Sequence, residues 1–116
     1  MAVDRGDRAM LTRLRVAGQR GFELRTNAMV IAQVWRDSRG RQAQLARLLQ
    51  AVDIRPVTRR DGEQAGLLQA SAGTSDSVDA TVVLLAQAGD RIITSDAGDL
   101  SRLAEAAATG CMIVAC

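Results

Sequence analysis

Gly73-Thr74-Ser75-Asp76-Ser77-Val78-Asp79-Ala80-Thr81-Val82-Val83-Leu84-Leu85, and then Arg91-Ile92-Ile93-Thr94-Ser95-Asp96-Ala97-Gly98-Asp99-Leu100, is the stretch that decides the fold. A polar turn over 73–76 leads into a segment, 78–88, that is apolar almost all round. A helix of that kind has no solvent face and is expected to be buried against a sheet. Residues 91–94 read as a strand. Residues 99–108 read as a helix, with Leu100, Leu103 and Ala107 recurring on one face. Met112-Ile113-Val114 reads as a closing strand. Strands alternating with helices in this way predict an α/β fold with a largely parallel sheet.

Working outward towards the N-terminus, the same alternation continues. Met10, Leu11, Leu14 and Ala17 predict a helix over 7–20, and Gly21 stands where a C′ glycine would. Residues 22–25 alternate like a short strand. Thr26 or Asn27 can cap a helix running through Trp35, with Met29, Val30 and Val34 for the core. Residues 37–40 break it. A third helix over 41–50 turns Leu45, Leu48 and Leu49 inward, and 52–54 is strand-like up to Pro56. A fourth helix over 61–71 carries Ala65, Leu67 and Leu68. The chain, 1–116, reads as a single domain, without repeats, linkers or low-complexity segments.

What is missing narrows the chemistry. The chain has no His, no Lys and no Tyr, and its 15 basic residues are all arginine. A Ser-His-Asp triad, a Cys-His dyad, a P-loop lysine and a Schiff-base lysine are therefore excluded. Carboxylates, hydroxyls, thiols and an external metal remain. Cys111 and Cys116 are read as free thiols, since two cysteines make no disulfide framework and no histidine completes a metal site. No apolar run reaches the roughly 20 residues of a membrane helix. The charged start has no apolar h-region, so a cytoplasmic location is expected. Residues 1–60 hold 13 arginines against five acids, and residues 61–116 hold two against eight. Such a split fits a basic surface for a polyanion or acidic partner, set beside an acidic site. The alternative is that the arginines solvate exposed helix faces.

The acids of the second half have a pattern. Asp79 falls in the first turn of the apolar helix, and Asp96 and Asp99 follow the 91–94 strand. Sites in open α/β sheets form at the carboxyl ends of strands and the starts of the helices that follow. Carboxylates gathered there repel one another, and Mg²⁺ or Mn²⁺ relieves the repulsion. Each acid also has an ordinary reading: Asp76 and Asp99 as N-caps, Asp79 against the helix dipole, Asp96 in a turn.

These residues resemble a family. Thr74–Val83 and Thr94–Leu100 resemble the second half of PIN domains, particularly the toxins of VapBC toxin–antitoxin pairs. Asn27–Arg36 is similar to that family's second conserved helix, and Asp4–Arg8 to the loop after its first strand. The resemblance implies a three-layer fold, a parallel sheet flanked by helices, and a Mg²⁺-dependent endoribonuclease acting on RNA. It also implies a cognate antitoxin as partner and homodimerisation. Asp79, Asp96 and Asp99 would be the catalytic and metal-binding acids, with Arg36, Arg39 and Arg41 holding RNA phosphates. Two departures accompany it. Gln33 stands where the family usually has a glutamate. The family's first strand, central in its sheet and bearing an aspartate, would lie upstream of Met1. Activity is therefore expected to be low or absent. A non-catalytic RNA- or antitoxin-binding module, or a truncated remnant, is the alternative.

Overall fold

The computed structural model describes residues 8–35, 43–94 and 97–115. The element order is α1 (Arg8–Gln19), β1 (Arg25–Asn27), α2 (Ala28–Val34), α3 (Ala43–Gln50), β2 (Asp53–Arg55), α4 (Arg59–Ala72), α5 (Ser77–Leu85), β3 (Arg91–Thr94), α6 (Gly98–Ala107) and β4 (Met112–Ala115). The fold is α/β, as the alternation predicts. β1 pairs in parallel with β2, joining Thr26 to Ile54, and β3 pairs in parallel with β4, joining Ile92 to Ile113. Among the described residues these form two separate two-stranded sheets, not one hydrogen-bonded sheet. Each pair needs a crossover, because parallel neighbours cannot be joined by a tight turn. α2 and α3 lie in the first crossover and α6 in the second.

Local chemistry explains most of the boundaries. Asn27 caps α2, its Oδ1 accepting from Met29 N at 3.0 Å and Val30 N at 3.1 Å. Thr58 and Asp61 form a reciprocal capping box at the start of α4. Gly73, at φ +72°, closes the same helix in the left-handed conformation that favours glycine. Asp76 caps α5, its Oδ1 accepting from Asp79 N at 3.0 Å.

The core joins α1 to the second half of the chain. Met10, Leu14, Val30, Val83, Ile92, Leu100 and Leu103 are almost wholly enclosed. α5 packs on α4, α6, α2 and β1, which is why its sequence is apolar all round. Its residues Ala80–Val83 form a fully buried run.

Several details differ from the sequence reading. The first strand begins at Arg25, later than the 22–25 alternation implies, and Phe22 is 54% exposed. In α4 the buried stripe runs through Ala65, Leu68 and the half-buried Ala72, so Leu67 falls on the flank and stays exposed. Met29 is likewise exposed, while Val30 and Val34 are buried. α5 ends at Leu85 rather than near residue 88, because Asp90 folds back to accept from Gln87 N at 2.8 Å. Asp99 sits in the first turn of α6. The N-cap is Ala97, which makes no side-chain cap bond. The break over 37–40 lies outside the described residues.

Candidate functional site

At the amino end of β1, Arg25 pairs with Asp90, the residue before β3. At its carboxyl end, Asn27 reaches α5, where its Nδ2 donates to Thr81 Oγ1 at 3.0 Å. Thr81 in turn donates to Val78 O at 2.7 Å. Asn27 is 1% exposed and Thr81 7% exposed, so this is a buried polar link between the start of α2 and the first half of α5. Enclosed polar groups need such partners, and here each satisfies the other.

The residues singled out in the sequence fall as follows. Asp79, half-buried, occupies the first turn of α5, and Asp99, half-buried, the first turn of α6. The two helices pack on each other. Carboxylates in first turns are stabilised by the positive ends of the helix dipoles, whether or not they hold a cation. Gln33 is exposed near the end of α2. Asp96, Arg36, Arg39 and Arg41 lie outside the described residues. Among the described residues no group of three or more His, Cys, Asp or Glu could hold a metal ion. Asp79 and Asp99 are two of the three acids singled out in the sequence. Cys111 is a free, partly buried thiol, and Cys116 lies outside the described residues.

Sequence reasoning missed three features. It identified Asn27 as a cap but not its second bond, to Thr81. A threonine inside an otherwise apolar helix was the available signal, since a buried hydroxyl seeks a partner. The Arg25–Asp90 pair joins residues 65 apart in sequence and left no local mark. The third feature is a cavity of about 580 Å³ lined by α1, by Leu24 and Arg25 at the start of β1, by the end of α5 and by β3 and β4. Leu14, Leu85, Ile93 and Val114 are among its apolar walls.

No family model, no curated protein and no solved structure matches this chain. Among the described residues no helix is long and apolar enough to cross a membrane.

Proposed function

We propose that the chain is a PIN-type, Mg²⁺- or Mn²⁺-dependent endoribonuclease domain, impaired in catalysis. It would be the toxin of a toxin–antitoxin pair and work in the cytoplasm as a homodimer. The observation that supports this most is the setting of Asp79 and Asp99. Both acids stand in first turns of helices that pack together, and α6 follows directly on β3. That is where open α/β folds place their sites. The donor set fits the ion: Mg²⁺ is usually held by one or two carboxylates and keeps several waters. Asp79, Asp99 and Asp96 would hold it, and a cation there polarises a phosphodiester oxygen and acidifies a bound water. Arg36, Arg39 and Arg41 would hold the RNA backbone, giving affinity that falls steeply with salt. In this reading the two parallel pairs are the outer parts of the sheet of a three-layer fold, one on either side of a central strand. Gln33 offers an amide where a carboxylate would add charge, which weakens the site.

The test is RNA cleavage in Mg²⁺ or Mn²⁺, with metal binding measured in parallel. The chain should cleave weakly, Gln33→Glu should cleave faster, and Asp79→Asn should abolish cleavage. Equal metal binding by the wild type and an Asp79→Asn, Asp96→Asn, Asp99→Asn triple variant would remove the site. A second reading, a non-catalytic RNA- or antitoxin-binding module, is favoured by the neutral Gln33. It predicts RNA binding without cleavage in every variant, with a salt slope that flattens when Arg36, Arg39 and Arg41 are replaced.

A further inference from the structure

Arg91 and Ile93 of β3 pair with Met112 and Val114 of β4, so these four side chains share one face of the strand pair. Ile92 and Thr94 turn into the interior on the other. On the first face Arg91 and Met112 are exposed, and Ile93 and Val114 are half-buried. All four line the cavity of about 580 Å³, with Leu14 and Ala17 of α1 among its other walls. Val16 and Phe22 also line it and are exposed, as Met112 is, so its mouth is apolar. Among the described residues that line it, the charged ones are four arginines and two acids. Arg25 is matched by Asp90, which leaves Arg13, Arg20 and Arg91, all exposed, against Glu23. We infer that this cavity binds a free medium-chain acyl carboxylate, its chain along the outer face of β3 and β4 and its carboxylate at Arg20 and Arg91.

The chemistry specifies that ligand. Pockets of roughly 300–1,000 Å³ with mostly apolar walls and a few polar groups suit single small molecules. From Arg91 to Thr94, β3 spans about 10 Å, which sets the length of an extended chain lying along it. An apolar body gains by leaving water for such walls, and it covers the exposed side chains at the mouth. A carboxylate is costly to bury, so the head group belongs at the rim, beside exposed guanidiniums. Arg91 lies over the Phe22 ring, 5.6 Å from its centroid, and Arg20 stands two residues before Phe22. The cation–π contact holds Arg91 at this end, and a guanidinium fork matches the two oxygens of a carboxylate. Arg13 is at the other end of the strands, where its Nη1 donates to Ala115 O at 3.4 Å. The excess of arginine favours an anionic head over a neutral or cationic one. Binding of this kind uses neither the metal nor the RNA of the reading above, and a chain without nuclease activity would still show it.

The probe is sodium decanoate, kept below its micelle concentration and titrated calorimetrically into the full chain. It should saturate at one molecule per chain and raise the unfolding midpoint. Decanol, with the same chain and no charge, should bind several-fold more weakly. Arg20→Glu combined with Arg91→Glu, both exposed rim changes, should weaken decanoate about tenfold and make decyltrimethylammonium the better ligand. Val114→Phe, which fills the trough from the sheet side, should weaken decanoate and decanol alike. Ala17→Leu fills it from the α1 side and serves in its place if Val114→Phe lowers the unfolding midpoint of the free protein. Three results would overturn the inference. One is no binding, or uptake of decanoate that does not saturate at one per chain. Another is decanol binding as tightly as decanoate, meaning apolar surface without a head-group site. The third is decanoate affinity that neither the arginine changes nor the filling changes alter.

Discussion

The two strand–helix–strand units share a plan and are held by different forces. In the second, β3 turns Ile92 and Thr94 into the interior at 2% exposure each, and α6 buries Leu100 and Leu103 completely. In the first, all three residues of β2 are exposed, and β1 buries Thr26 and Asn27 rather than aliphatic side chains. The second unit is fastened by apolar packing, and the first by a polar clasp, Asn27 to Thr81, with Arg25 to Asp90, added to the apolar packing of Val30, Val34 and Leu45. Apolar packing is additive and forgiving, whereas a buried polar contact is worth little net but costs much when half of it is removed. The first unit should accordingly open more readily, yet be more sensitive at a single residue.

The largest test of this contrast is truncation in the apolar unit. Leu103→Ala should cost about 2–5 kcal/mol in denaturant unfolding. The matched change in the first unit, Ile54→Ala, should cost less than about 1 kcal/mol, since Ile54 is 42% exposed. Comparable losses would break the distinction.

Next is the clasp itself. Asn27→Ala removes two cap bonds to the start of α2 and the bond that Thr81 Oγ1 accepts, leaving that hydroxyl its bond to Val78 O, and it should cost about 1–3 kcal/mol. Native-state hydrogen exchange should show α2 opening ahead of α6. Uniform loss across both units would mean they unfold as one.

Thr26 sharpens the comparison from the other direction. Its Oγ1 is fully enclosed and has no hydrogen-bond partner among the described residues. Thr26→Val, which keeps the shape and removes the hydroxyl, should stabilise the chain by about 1 kcal/mol. A loss of stability would show that the hydroxyl has a use in the first unit.

The second unit carries its own strain at Ala108, φ +53°, which ends α6 in the left-handed region. Ala108→Gly should raise the unfolding free energy by about 0.5–1 kcal/mol. No gain would place the strain elsewhere.

The smallest effect concerns the capping box that opens α4, between the units. Hydrogen bonds from the Thr58 backbone and hydroxyl hold the Asp61 carboxyl below its ordinary value of 3.8. A carboxylate favoured in the folded state adds stability that is complete above the unfolded value and is lost as pH falls through the folded one. Exchange of the first α4 amides should therefore quicken on acidification below that ordinary value. Asp61→Asn should flatten the dependence.

Much of the local structure was legible. Asp76 reads as a cap and caps α5, the cap of α2 is Asn27, one of the two residues the sequence offered, the polar turn read from Gly73 follows α4, and the 91–94 strand falls where expected. Those features depend on contacts within a few residues. The first strand was placed too early because Phe22 and Leu24 alternate like a strand, while the pairing that defines β1 comes from Asp53–Arg55 far along the chain. Of the candidate site, the first-turn positions of Asp79 and Asp99 could be read from sequence.

The sequence by itself determined the α/β class, the burial of α5 and some of the helix caps, since periodicity and capping are local physics. Only the tertiary structure decided that the strands form two parallel pairs, that Asn27 meets Thr81, and that a cavity opens beside the start of β1 against β3 and β4. Each of these depends on how segments well apart along the chain pack, from 21 residues for β3 with β4 to 54 for Asn27 with Thr81, and no local propensity encodes such a meeting.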